Sequence, residues 1–111
     1  MPLERNQNLL RDIVAATSAA RAFVEGMEYA DFVDDLKAQS AVTYQLVIIG
    51  EAAKCLSGEV TTRYSEIPWS EICRARDLFV HHYKKIDSEE VWTAVSRDLP
   101  HLLKVLEGWT S

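Results

Sequence analysis

QSAVTYQLVIIGEAAKCLS, residues 39–57, decides the fold class. Val42, Leu46, Ile49, Ala53 and Leu56 recur at helical spacing and mark one face. Val47, Ile48, Ala52 and Cys55 widen that face until the segment is apolar most of the way round. Such a helix sits at the centre of a bundle or in an interface. The pattern predicts a helix over about Lys37–Leu56, ended by Ser57-Gly58. Glu51 interrupts it. A carboxylate there either meets a cation, with Arg76 a candidate whose guanidinium it would orient, or faces solvent or pairs with nearby Lys54.

Upstream, Leu10, Ile13, Val14, Thr17, Ala20, Arg21 and Val24 form one mostly apolar stripe, predicting a first helix over about Leu3–Glu25 with Gly26 as its stop. A short helical piece is expected over Tyr29–Leu36, with Asp31 as cap. Asp34 and Asp35 either face the cleft of a site or form a solvated acidic turn; the second reading is preferred. Downstream, Thr61–Tyr64 makes one turn, and Pro68 reads as the first residue of a helix reaching Tyr83, because its missing N–H costs nothing there. Trp69, Ile72, Cys73, Val80 and Tyr83 share its stripe, and so does Arg76. After a break at Lys84–Ile86, Asp87 with Glu90 three residues on is a capping-box start. Val91, Val95, Leu99, Leu102, Leu106 and Trp109 carry the core face of the last helix, predicted to about Leu106 and kinked near Pro100. No alternating strand pattern appears. The expectation is all-α: one domain over residues 1–111, an up-and-down bundle of four main helices with short helical segments between them.

No apolar run is long enough to span a bilayer, and the charged start MPLERNQNLL lacks a signal-peptide core, so a cytoplasmic protein is expected. Cys55 and Cys73 sit in apolar patterns and read as buried free thiols; no Cys/His spacing suggests a metal, and no cofactor is implied. Trp69, Trp92 and Trp109 lie on helical stripes, which favours packing over base stacking, and His101 after Pro100 is expected to be exposed. A net charge of −5 does not favour nucleic acid in general. Yet Arg74, Arg76, Lys84 and Lys85 face only Asp77 in residues 74–85, a local +3. They either steer RNA or complement a helix C-terminus.

That basic spot contains RDLFVHHY, residues 76–83. An arginine in an apolar stripe is partly desolvated and needs a partner. On an ideal helix Arg76 and Tyr83 fall within about 20° of each other, whereas His81 lies about 140° from Arg76 and His82 about 120° the other way. A straight monomeric helix therefore makes a poor Arg/His site. Either the helix ends or distorts near His81, or a two-fold dimer sets Arg76 of one chain beside His81 of the other. Imidazole moves protons near neutral pH and guanidinium stabilises negative charge on phosphate, a pair suited to metal-free RNA cleavage.

The stretch resembles the signature of HepT-like toxins, a branch of the HEPN superfamily of helical nucleotide- and RNA-binding domains: Arg, four residues, His, any residue, Tyr. Residues 39–57, IPWSEICRARDLFVHHYKKID and EEVWTAVSRDLPHLL resemble the family's second, third and fourth helices, so the likeness covers most of the chain from about Asp31 onward. The resemblance implies a HEPN-like fold and a ribonuclease toxin of a type VII toxin–antitoxin system, acting on mRNA or tRNA without metal at the cleft of a homodimer. It places Arg76 and His81 as the catalytic pair. It makes Tyr83 the tyrosine that an MntA-like nucleotidyltransferase antitoxin modifies with AMP, in a complex that extends to larger hetero-oligomers. The residue after the arginine is often Asn in the family; here Asp77 stands there, and an acid beside Arg76 tunes or partly neutralises it. Asp77, Glu51 and His82, the last at the variable position, are candidate supporting residues; Arg74, Lys84 and Lys85 are candidate RNA contacts. The alternative is a non-catalytic subunit that presents nucleotide or substrate to a nucleotidyltransferase.

Overall fold

The computed structural model describes the backbone of residues 3–110 and the side chains of residues 4–107. Among these the chain is all helical: α1 (Leu3–Phe23), α2 (Tyr29–Val33), α3 (Leu36–Lys54), α4 (Gly58–Arg63), α5 (Trp69–His81), α6 (Ser88–Thr93) and α7 (Leu99–Thr110). A 3-10 turn, Tyr83–Lys85, follows α5, and a π-helical turn, Ala94–Asp98, joins α6 to α7. The expected all-α bundle is what forms.

The central placement expected of α3 holds. It packs along both α1 and α5, and touches α2 and α6. Its stripe residues Val42, Leu46 and Ile49 are buried in one cluster with Leu10, Ile13, Ala16 and Ala20 of α1 and Val91, Val95, Leu99, Leu102 and Leu106 of the C-terminal segments, and Ala53 is buried too. Phe32 of α2 is fully buried, and Trp92 packs against it with ring centroids 5.2 Å apart.

Local chemistry sets the ends. Gly26, at φ 80°, takes the left-handed turn after α1 that a side chain resists. Asp35 caps α3 by accepting from Ala38 N at 2.9 Å, so it serves the helix and does not line a cleft; Asp34 is an exposed helix-end residue. Asp31 is not the cap of α2. Glu28 is, and the Asp31 carboxylate three residues on accepts from its N–H at 2.9 Å. Pro68 sits one position before the first residue of α5. Asp87 caps α6, but its carboxylate accepts from Glu89 N at 2.9 Å. Asn6 is buried and clamps the α3–α4 corner: its amide donates to Ser57 Oγ and its carbonyl accepts from Ser57 N, both at 3.1 Å.

The distortion expected at Pro100 takes the form of the π-helical turn just before it. Proline cannot donate to the Ser96 carbonyl and its ring crowds that group; widening the preceding turn relieves both. The helix then runs past Leu106 to Thr110. The side chain of Trp109 lies outside the described residues. Cys55, expected to be buried, is the exposed C-cap of α3, because the apolar pattern outruns the helix by two residues; Cys73 is half-buried.

α5 differs from the other long helices, α1, α3 and α7. None of its residues is buried. It packs chiefly on α3, and between it and α7 opens an apolar groove of about 240 Å³ that includes Leu46, Ile72, Phe79 and Leu102. No helix among the described residues is long and apolar enough to cross a membrane.

Candidate active site

The α3–α5 seam is closest at Gly50. A Cβ there would lie 2.8 Å from Arg76 Cγ, nearer still to Arg76 Cβ, and 3.3 Å from the Ile72 carbonyl oxygen. The aliphatic stem of Arg76 is thus laid on the bare backbone of α3, leaving the side chain 18% exposed. Its guanidinium is held on both outer nitrogens. Nη1 donates to Asp77 Oδ1 at 3.0 Å and Nη2 to Glu51 Oε1, while Nε is buried without a partner among the described residues. The same Asp77 oxygen accepts from Lys54 Nζ. Lys54, Asp77, Arg76 and Glu51 therefore form one alternating chain of charge across the two helices.

Its electrostatics follow. Glu51 first and Asp77 second raise the guanidinium pKa above its ordinary value. Lys54 first and Arg76 second hold the Asp77 carboxyl below the usual carboxylate range. Burial pushes the neighbouring Cys73 thiol up, with Lys54 opposing and Asp77 adding to the shift.

The partner expected for Arg76 is therefore Glu51, and Asp77 joins it, whereas Lys54 pairs with Asp77. The stripe joining Arg76 to Tyr83 does not form. α5 is regular through His81, and His82, at φ −135° and ψ 48°, breaks it. Tyr83 leaves the helical wheel, is 68% exposed, and borders an open concavity of about 670 Å³ with Tyr44, Phe79, Ser40 and Thr43. Because the break follows His81, it reorients His82 and Tyr83 but leaves His81 about 140° around the helix from Arg76. Helical spacing within one chain does not set the two on one face. His81, His82, Arg74, Lys84 and Lys85 are exposed, and Arg74 sits about 200° around α5 from Arg76.

Trp69 and Trp92 are structural: Trp69 Nε1 donates to the Tyr64 carbonyl at 3.0 Å, and Trp92 stacks near Tyr29 and Phe32. His101 is exposed, as expected. Gly50 and Lys54 escaped the sequence reading as site residues. A glycine inside an otherwise apolar helix was the available signal for a close crossing. No cluster of three or more His, Cys, Asp or Glu side chains suited to a metal occurs among the described residues.

A helical bundle presenting a carboxylate-clamped arginine, with His-His-Tyr at the end of the same helix, is the class this fold and site define. The chain belongs to the Ribonuclease HepT-like family, whose model matches residues 13–108. It is 34% identical over 96% of its length to "Putative RNase MJ0127" of Methanocaldococcus jannaschii, covering 88% of that protein. It is 36% identical over 87% of its length to "Probable ribonuclease HepT" of Thermococcus cleftensis, again covering 88%. No solved structure matches it at a significant level.

Proposed function

We propose that this protein is a ribonuclease of the HEPN type that cleaves RNA without metal as a homodimer, the toxin of a type VII toxin–antitoxin pair. Arg76 carries the reading: it is a desolvated guanidinium fixed at a helix crossing, five residues before an exposed imidazole. In the proposed reaction the 2′-hydroxyl attacks the adjacent phosphorus, the bond to the 5′ oxygen breaks, and a cyclic 2′,3′-phosphate and a 5′-hydroxyl result. His81 takes or returns the proton, and Arg76 stabilises the charge added to the phosphoryl oxygens. The 140° divergence within one chain supports a composite site, Arg76 from one protomer beside His81 from its partner. The uncovered face of α5 and the exposed apolar side chains of Val80, Tyr44 and Leu36 support a second copy as the cover.

Tyr83, exposed in the turn after the helix break, is the proposed switch. Its hydroxyl oxygen attacks the α-phosphorus of ATP on an MntA-like nucleotidyltransferase, releasing pyrophosphate. The adenylyl group then sets negative charge and bulk beside the RNA phosphate path. Lys84 and Lys85, adjacent and exposed, are proposed RNA contacts; Arg74, across the helix, is a weaker one.

The test is cleavage of total RNA in chelator by the unmodified protein. Activity should fall by about 10²–10³-fold in Arg76→Ala and His81→Ala. Equal background in all three favours the alternative, a non-catalytic subunit of a nucleotidyltransferase complex. For the switch, intact mass after co-expression with the partner should show an adenylyl adduct that disappears in Tyr83→Phe; an adduct that persists removes the assignment.

A further inference from the structure

We infer that Glu51 is a resident competitor for the substrate phosphate, a carboxylate that holds the Arg76 edge until RNA displaces it. The inference rests on the reading that Arg76 binds the scissile phosphate, and it deepens that reading.

The donors of Arg76 leave few alternatives. Nη1 is engaged by Asp77, Nη2 by Glu51, and Nε is buried. Both outer nitrogens already hold carboxylate oxygens, the groups that a phosphate oxygen imitates. Each outer nitrogen keeps a second N–H, but a phosphate using those would sit against two carboxylates; relieving that repulsion requires one carboxylate to leave or the guanidinium to swing away. The root of the side chain cannot swing, and the buried Nε leaves its outer torsions little room to turn. Its Cβ and Cγ are pressed on α3 at Gly50 so closely that a methyl group there would collide with them. A carboxylate must move instead.

The two carboxylates differ. Asp77 uses one oxygen for both Arg76 and Lys54, so releasing it breaks two ion pairs and strands a lysine. Among the described residues Glu51 pairs only with Arg76, its side chain is 54% exposed, and it has a longer, freer stem. Water receives it at little cost when it turns outward. Asp77 and Lys54 thus form the fixed half of the clamp and Glu51 the mobile half. Glu51 orients the guanidinium in the resting protein, as a positioning residue, and opposes RNA binding by competing for the same nitrogens. The device favours strong, polyanionic ligands over stray anions, because an isolated carboxylate or phosphate gains little by replacing a carboxylate already in place.

The experiment compares binding of a 2′-O-methyl oligoribonucleotide, whose attacking hydroxyls are blocked, with cleavage of the matching RNA. The proteins are wild type, Glu51→Gln, Arg76→Ala and the double variant; Glu51 is exposed, and circular dichroism verifies that each keeps its helices. Glu51→Gln should bind the oligonucleotide several-fold more tightly and lower KM for cleavage. The gain should vanish in the Arg76→Ala background. Unchanged or weaker binding by Glu51→Gln, with Arg76→Ala weakened, overturns the competitor and leaves the site reading standing. An equal gain in both backgrounds also overturns it, since removal of any negative charge then suffices. Arg76→Ala that binds and cleaves like wild type overturns the site reading and the competitor together.

Discussion

α1 and α5 both pack along α3, yet they are built to different ends. The α1 side is a sealed core: Leu10, Ile13, Ala16, Thr17 and Ala20 are buried against α3 and the C-terminal helices. α5 has no fully buried residue: Trp69, Ile72 and Phe79 pack partly buried against the core, and the helix also meets α3 through a glycine, an arginine and a run of alternating charges. Apolar area removed from water stabilises a fold at roughly 25 cal/mol per Å². Exposed ion pairs each contribute little. The fully buried side chains thus lie outside α5, so more of the domain's stability comes from α1, α3 and the C-terminal helices than from α5.

The largest test of that division is complementation. Arg76→Ala and His81→Ala proteins, each inactive alone, should regain activity when mixed under conditions that exchange subunits. Statistical mixing leaves roughly a quarter of wild-type sites intact if each site draws Arg from one chain and His from the other. That is a rise of more than tenfold over either variant, read as RNA cleavage. No recovery despite demonstrated exchange means that both groups act within one chain, against the helical geometry.

Next in size is the core side. Phe32→Ala removes a fully buried ring that packs on Trp92, and should cost about 3–5 kcal/mol in denaturant unfolding. An equally large loss from Phe79→Ala, whose ring is only partly buried on the open side, would erase the distinction between the two faces.

Gly50→Ala tests the seam. The added methyl must displace Arg76 and the α5 backbone, costing about 1–3 kcal/mol as overpacking. Cleavage should fall by more than that loss of folded protein explains, because the guanidinium moves with its stem.

How legible this was in the sequence differs between the same two sides. The core of α3 could be read because apolar spacing reports burial directly: Val42, Leu46 and Ile49 are where periodicity sets them. Glu51 was half-legible. A carboxylate in an apolar run needs a cation, but its spacing to Lys54 offered a local partner as good as a distant arginine. The distance between α3 and α5 is written nowhere in a one-dimensional pattern, so the dependence on Gly50 stayed hidden. The end of α5 was misread by two residues, since HHYKK holds no glycine or proline to mark the break. That small error mattered, because it moved Tyr83 off the arginine stripe and left His81 on the wheel.

A smaller effect is acid sensitivity. Asp77 has a lowered pKa in the fold, so between that value and the ordinary carboxylate value near ~3.9 the unfolded chain binds more protons than the native one. Its contribution is present above the ordinary value and lost as pH falls through the lowered one. Arg76, its pKa raised, stays protonated throughout this range. Asp77→Asn should lower stability slightly at neutral pH and flatten the acid limb below about pH 4 by the same small amount, because Asp77 and Lys54 are both partly exposed. A large loss at neutral pH would move the α5 ion pairs into the class of core contacts.

The finest probe is the Cys73 thiol, which is half-buried beside the same charges. Thiol-reactive labelling follows the thiolate, so a raised pKa slows it. In a Cys55→Ser background, which removes the exposed thiol, Lys54→Met takes away a group that lowers the Cys73 pKa and should slow labelling further. Asp77→Asn takes away one that raises it and should speed labelling. Opposite responses report electrostatics in a seam that stays closed. If both variants label faster, the seam has opened, and the charge chain is then holding α5 on α3 as well as aiming Arg76.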